Sequence, residues 1–345
     1  MVRDILIGPH QVSLDITNKC NLRCLHCYNN SGENYQSSDE LSDEQVLGFI
    51  DEFKDIKLLN MCFCGGEPLL RKDLVIECAK RLKSYGCQNM AMVTNALLLD
   101  EKAVDDLSSA GLTRIQISLD GATSASHDRI RNQAGVYEKA LSGIATLIER
   151  KIDFAVAFTP TEFNIGEFKD FYYMLQGMGM NGNNNIRVQP LMIMGRASGN
   201  AKKINPTEKQ YRELVNTINL LNQSDNKIRV EWGDPVDHLI RFRNMNIVLN
   251  SVMIRANGDV IVDPYLPLVL GNIRKHPFLQ YWEHGLNNMW GHELIKKLAE
   301  NIMSIRDMDN EYDNLPKIWR DKDFVVDLID DDFEAKFSDI LNTLI

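Results

Sequence analysis

Between residues 11 and 222 the chain alternates short β-like runs with amphipathic helices, and no other feature constrains the fold as strongly. In Gln11–Thr17 the apolar residues Val12, Leu14 and Ile16 fall in period two; Leu58–Cys64, Gln88–Thr94, Thr113–Leu119, Ile152–Thr159 and Ile186–Met192 read as further strands. The helices between them carry start and stop signals. Ser42-Asp43-Glu44-Gln45 has the form of a capping box, with Val46, Phe49, Ile50 and Phe53 at helical spacing behind it. Asp100 and Gly111 bracket a second helix, and Asn205-Pro206 reads as an N-cap followed by a first-turn proline. Six β/α units in strict alternation predict an α/β fold whose parallel strands close, fully or partly, into a barrel.

After residue 226 the rhythm changes. Ile247–Ala256 and Asp259–Asp263 are β-like runs around Asn257-Gly258, a hairpin signal because both residues tolerate positive φ. Helical stretches follow at about 276–284 and 289–300. Residues 301–345 carry twelve acidic against five basic residues, so −7 of the net −10 sits there. Phe324, Val325, Leu328, Ile329, Phe333, Phe337, Ile340, Leu341 and Leu344 make the last of these residues amphipathic. A helix closing the barrel's open side or bottom is the expected role; a docking surface for a basic leader peptide is the alternative.

An acidic chain repels phosphate, which argues against nucleic-acid binding. No apolar run reaches membrane-spanning length and no signal segment opens the chain. The seven cysteines are odd in number and none lies beyond Cys87, so a reducing compartment, the cytoplasm, is expected instead of a disulfide framework.

Three of them, Cys20, Cys24 and Cys27, are spaced C-x3-C-x2-C. Thiolates are soft ligands for iron–sulfur clusters, and a cubane normally takes four, so a set of three leaves one iron open. A structural zinc site would need a second short pair, and none follows at zinc-like distance. The surrounding loop is too polar for three buried, unligated thiols. His26 reads as a packing or hydrogen-bonding residue.

Further candidates stand at strand ends, where parallel α/β barrels place their sites. Gly65-Gly66-Glu67-Pro68 follows the second strand: its glycines permit close backbone approach, and Glu67 or exposed carbonyls can hold an ammonium. On its own it is an ordinary turn. Thr94-Asn95 ends the third strand, and Ser118 and Asp120 end the fourth, where they can bond a ribose or carboxylate or simply cap a helix. Arg131 can pair with a carboxylate or belong to a solvated charge cluster.

Together these runs resemble the radical S-adenosylmethionine (radical SAM) superfamily over about residues 11–300. The resemblance implies a partial (β/α)6 barrel with a C-terminal β-hairpin and helical extension. It implies one [4Fe-4S] cluster on Cys20, Cys24 and Cys27, with S-adenosyl-L-methionine chelating the free iron. Tyr28 fits the aromatic that follows the third cysteine. Gly65, Gly66, Glu67 and Pro68 match the GGEP motif that holds the methionine amino group. Thr94, Asn95, Ser118, Asp120 and Arg131 match runs that contact ribose and carboxylate, and Arg196 lies in a segment near adenine and substrate. The implied chemistry is reductive cleavage to a 5′-deoxyadenosyl radical that abstracts hydrogen, with an electron donor such as flavodoxin or ferredoxin.

Met253–Pro264 and Gly271–Ile273 resemble the SPASM or twitch extension of peptide-modifying relatives, without its auxiliary-cluster cysteines. The expected division is a barrel at 1–226, an extension at 227–300 and an acidic tail at 301–345. That extension and Gly195-Arg196-Ala197 imply a ribosomally made peptide as substrate, for epimerisation or crosslinking. A sugar, nucleoside or tetrapyrrole is the alternative, and a cluster-binding protein without turnover a third. Only ten residues precede the first strand, so a separate leader-binding protein is expected. Cys62 and Cys64 stand two apart on the second strand and therefore share a face. Facing the lumen, Cys64 could return a hydrogen atom to a substrate radical; facing the helices, both would be packing residues, the commoner fate of free cysteine.

Overall fold

The computed structural model describes residues 8–32, 39–56, 58–223, 228–243, 251–300, 302–304, 307 and 323–344. Its frame is a sheet of nine strands: β1 Gln11–Thr17, β2 Asn60–Gly65, β3 Asn89–Thr94, β4 Arg114–Ser118, β5 Asp153–Phe158, β6 Asn185–Val188, β7 Arg229–Trp232, β8 Ser251–Ile254 and β9 Val260–Ile261. They lie in the order β7-β6-β5-β4-β3-β2-β1-β8-β9. All neighbours are parallel except β8 and β9. Among the described residues β7 and β9 do not pair, so this α/β barrel is partial.

Six of these strands are the ones that the alternation predicts, within two residues at their starts and four at their ends. The sheet nevertheless runs past residue 226 at both edges. Arg229–Trp232 continues it beyond β6, a strand too short and too charged to show a period. Ser251–Ile254, the first arm of the expected hairpin, pairs in parallel with β1. Residues 247–250 of that arm fall outside the described residues. The hairpin itself turns at Asn257-Gly258, where Gly258 has φ +94°.

Alternation sorts the side chains. Val12, Leu14, Ile16, Met61, Phe63, Met92, Ile115, Ile117, Val156 and Phe158 are buried in the main core, on the face that the helices cover. Each such side chain contributes about 1.5–3 kcal/mol by leaving water. The opposite phase carries Ser13, Asp15, Cys62, Cys64, Gln116 and Arg187, and this faces the lumen.

Two of the predicted helix boundaries hold. Ser42 and Gln45 form the capping box of helix Asp43–Asp51, and Asp100 and Gly111 close helix Glu101–Ala110. The third shifts: Asn205 ends helix Arg196–Ile204, and Thr207 starts Glu208–Gln223 by exchanging bonds of 2.7 and 3.3 Å with Gln210. Thr207 has a glutamine three residues on, which Asn205 lacks, so the reciprocal cap forms there.

The extension is fastened to the barrel. Glu52, at the C-terminal end of helix Asp43–Asp51, accepts from the backbone N–H groups of Phe278 and Leu279 at 3.0 and 2.9 Å. A carboxylate there satisfies the free donors of helix Phe278–Glu283 and its positive dipole end. The Phe278 ring meets Phe49 and Phe53 at 5.5 and 5.8 Å. The described part of the tail packs on the extension. Its strand β11, Phe324–Val325, pairs with β10, Leu268–Val269. In helix Phe333–Leu344 the Phe333 and Phe337 rings pack on His292 at 4.8 and 5.2 Å. Its apolar face is therefore spent on the extension; residues 321, 322 and 345 of the expected segment lie outside the described residues. Among the described residues no helix is long and apolar enough to cross a membrane.

Candidate functional site

The cysteine loop leaves the end of β1 and is held by two arginines. Arg23 donates to the carbonyls of Cys20 and Leu22, each at 2.9 Å, and to that of Gly32 at 2.6 Å. Arg196, from the segment after β6, donates to the carbonyls of Cys24 at 3.0 Å and Ser31 at 3.1 Å, and to Asn30 Oδ1 at 3.2 Å. Gly195 has φ +54°, and a Cβ there would lie 2.3 Å from the Tyr28 carbonyl, so only glycine lets that segment reach the loop.

The three thiols pack against one small cluster with Leu22, Leu97 and Val136; Cys24 is buried, Cys20 and Cys27 half-buried. Burial pushes the Cys20 thiol up to about 11 and raises that of Cys24. Ionised sulfur here therefore calls for a positive partner. Donors already aim at the sulfurs: Leu22 N–H lies 3.5 Å from Cys20 Sγ, and Arg131 Nη1 3.7 Å from Cys24 Sγ. Soft, gathered thiols in a low-dielectric loop with N–H donors fit an iron–sulfur cluster.

Gly65 and Gly66 are forced by the same loop. A Cβ on Gly65 would lie 2.3 Å from the Thr17 carbonyl, and one on Gly66 2.0 Å from that of Lys19. Gly66 N–H and Glu67 N–H donate to those two carbonyls at 2.7 and 2.9 Å. The close approach predicted from the glycines is thus to the chain's own backbone. Glu67 is fully buried, and its carboxylate accepts from Thr94 Oγ1 at 2.7 Å, Asn95 N–H at 2.9 Å and Leu69 N–H at 3.2 Å. The carboxylate is committed to tying the end of β2 to the end of β3, with Pro68 opening the helical turn behind it. Asn95 in turn donates to Asn21 Oδ1 at 2.8 Å, which joins the third strand end to the loop.

Asp120 and Arg131 are not a solvated cluster. Both are buried, and Arg131 Nη2 lies 2.7 Å from Asp120 Oδ2. Burial, the largest single influence, raises the Asp120 carboxyl, but Arg131 and the other groups that face it, the Thr159 N–H at 2.9 Å among them, together outweigh it and hold the group below the usual range. His26 Nε2 stands 3.5 Å from Asp120 Oδ2, and Asp120 N–H donates to His127 Nδ1 at 2.9 Å. Burial pushes both imidazoles down to about 4, so they are neutral near pH 7 and the cation beside Asp120 is Arg131. Asn164 completes the junction, donating to the Asp120 carbonyl at 2.6 Å. Half-buried Ser118 ends β4 on the lumen phase, and Tyr28 is 40% exposed, its ring 6.0 Å from that of Tyr265.

Inside the barrel lies a cavity of about 700 Å³ lined by Cys62, Gln116, Arg114, Arg187, Glu231 and Asp237, among others. Of the two orientations open to Cys62 and Cys64, the strand phase takes the lumen: β2 turns its apolar Met61 and Phe63 toward the helices, which sends both thiols inward. Their Sγ atoms are 3.2 Å apart.

Sequence reasoning passed over Asp15, opposite Cys64 in the β1–β2 register. Its signal was available, since an acid in the phase opposite Val12, Leu14 and Ile16 must face the lumen. Burial pushes its carboxyl from 3.8 to about 7, with Glu40 adding and Arg255 opposing. The folded state then binds a proton that the unfolded chain has lost, so stability should fall as pH rises from about 4 to about 7. Urea midpoints across that window should drop in the native protein and flatten in Asp15→Asn; equal slopes would refute the assignment.

Also unforeseen was the buried His238, whose Nδ1 bonds Asp263 and whose Nε2 lies 3.1 Å from Asp234. Burial opposes its charge, but the two carboxylates win and push it up to about 10. Its ring sits edge-on to Tyr265 at 4.8 Å. Asp234 stands four residues before His238, a spacing that one helical turn brings together, but Asp263 is remote in sequence and only folding adds it.

Comparison with known proteins follows the same lines. Residues 14–175 match the model of the Radical SAM superfamily. The AdoMet-dependent heme synthase of Methanosarcina barkeri is 26% identical over 316 residues, 85% of either chain. Mycofactocin maturase MftC of Mycolicibacterium smegmatis is 26% identical over 312 residues, 86% of this chain and 74% of the maturase. The structure of Streptococcus suis SuiB bound to S-adenosylmethionine superposes with a TM-score of 0.66 at 14% identity, over 81% of this chain and 66% of SuiB. The chain thus spans just under two thirds of SuiB. Its cofactors are those of the matched family, a 4Fe-4S cluster and S-adenosylmethionine. Residues 14–175, from β1 into the helix after β5, thus form a radical SAM domain.

Proposed function

We propose that the protein modifies a ribosomally made peptide, using Cys20, Cys24 and Cys27 to hold the cluster. When bound, cluster and S-adenosylmethionine supply a 5′-deoxyadenosyl radical that takes a hydrogen atom from substrate. The chain's own residues position and seal. Ser118, Tyr28, Thr94-Asn95 and the backbone of Gly65-Gly66-Glu67-Pro68 border the cofactor. Glu67, Asp120, Arg131 and Arg196 act through the loop, because their charged groups are already committed to protein partners. Residues 253–273 act as a SPASM-like cover in which buried Tyr265 stands where relatives carry cluster ligands. The reading keeps a barrel at 1–226, to whose sheet residues 229–232 and 251–254 of the extension at 227–300 add strands, a tail at 301–345, a cytoplasmic setting, a small electron-transfer protein as donor and a separate leader-binding protein.

The observation that carries the peptide reading is the lumen. Amides and charges of both signs, Gln116, Asn185, Arg114, Arg187, Glu231 and Asp237, line a cavity that also exposes a thiol. That suits main-chain amides better than the apolar lining that small-molecule pockets normally offer. SuiB, whose fold is shared, has been seen with its precursor peptide SuiA. A second reading, a tetrapyrrole, is favoured by the heme synthase similarity and by lumen arginines that can meet carboxylates.

Cys64 is the hydrogen donor in this reading. Its hydrogen bond with Cys62, then burial, raise its thiol well above the usual range, so it stays protonated. A peptide encoded beside this chain, treated with reduced enzyme in deuterated water, should gain one mass unit per epimerised residue. Cys64→Ala should still form 5′-deoxyadenosine but lose that product. A peptide lighter by two mass units would replace epimerisation with oxidation, and turnover of an iron porphyrin in place of the peptide would establish the second reading.

A further inference from the structure

Cys62 and Cys64 are free thiols whose sulfurs touch at 3.2 Å, and Cys62 lines a cavity large enough for a substrate segment. Cys78 and Cys87, by contrast, are packed into the core. Two residues along a parallel strand span about 6.6 Å, at the outer edge of the roughly 4.4–6.8 Å between Cα atoms that a disulfide can bridge. A bond closed there would be strained and readily reduced. The strand end helps, since Gly65 at φ +117° turns the chain directly after Cys64. Contact, access and a strained but reachable bond together describe a reactive pair.

We propose that Cys62 and Cys64 work as a dithiol: Cys64 gives its hydrogen atom to a carbon radical in the lumen, and the thiyl left behind closes onto Cys62. This rests on the reading of Cys64 as donor and extends it. The Cys64 S–H bond breaks as a C–H bond forms. The S–S bond forms as Cys62 releases its proton to solvent, leaving one electron beyond those that a disulfide holds. The balance needs a one-electron acceptor for it, which an oxidised iron–sulfur cluster held by Cys20, Cys24 and Cys27 would supply. The pair has then lost two electrons, and an external dithiol must reopen it before the next event.

Two measurements test this, and neither uses a peptide. Before cluster reconstitution, protein oxidised with diamide should yield a β2 segment lighter by two mass units, restored by dithiothreitol; failure to form that disulfide overturns the proposal. Reconstituted, reduced protein should then be given S-adenosylmethionine alone in deuterated water without added thiol. The expected result is a burst of 5′-deoxyadenosine, one per chain, carrying one deuterium and matched by one Cys62–Cys64 disulfide, with dithiothreitol restarting the reaction. Cys62→Ser should form no such disulfide and lose the restart. Deoxyadenosine that accumulates while both thiols remain open to alkylation overturns the dithiol. The peptide reading fails separately, by a substrate screen that leaves these two results unchanged.

Discussion

Replacing Cys20, Cys24 and Cys27 together by Ala should abolish the charge-transfer absorption of the reconstituted protein and bring its iron from about four atoms per chain to background. The fold should survive, because the shortest bonds that shape the loop run from Arg23 and Arg196 to its carbonyls, and the contacts on the sulfurs are longer. Circular dichroism of the triple variant should therefore match the native protein while the visible spectrum is lost. About eight irons per native chain would mean a second cluster, for which no cysteine beyond Cys87 is available. A cluster that persists in the variant would move the site away from this loop altogether.

The second large effect is expected at Asp120. Asp120→Asn keeps the shape but leaves the Arg131 guanidinium buried opposite a neutral group, and breaking a buried pair from one side costs about 3–5 kcal/mol. Asp120→Asn combined with Arg131→Met removes the stranded charge and should recover part of that loss. The sign with pH follows from the depressed carboxyl: the pair's contribution is present above the ordinary carboxylate range and is lost as pH falls through the lower folded value. Urea unfolding near neutral pH reads the first effect and an acid titration the second. A loss under 1 kcal/mol in the single variant would mean that Arg131 finds water or another anion, and that the junction is looser than its burial implies.

The barrel was legible because its strands announce themselves twice, by period-two apolar residues and by the capped helices between them. The motifs at strand ends were legible for a related reason, since glycine pairs and polar residues interrupt an apolar rhythm where a turn must be. What escaped was of two kinds. β7 is four residues with two apolar side chains, below the length at which a period can be read. Side-chain partnerships such as Glu67 with Thr94 and Asn95, or His238 with Asp263, depend on which elements meet, and sequence spacing does not encode that. The direction of Cys62 and Cys64 lay between. The phase of Met61 and Phe63 points both thiols inward, whereas the general tendency of free cysteine to be buried pointed the other way.

The parallel pairing of Gln11–Leu14 with Ser251–Ile254 bears on how the chain is made. A ribosome adds about 5–20 residues per second, so the strand that launches the cysteine loop emerges tens of seconds, in order of magnitude, before its outer neighbour. Through that interval one edge of β1 offers unpaired N–H and C=O groups to any passing strand. Iron delivered during synthesis would meet a loop hanging from a half-paired strand. Slower translation, lower temperature or a chaperone that shields this edge should thus change the yield of correctly loaded protein more than the stability of the finished fold would suggest.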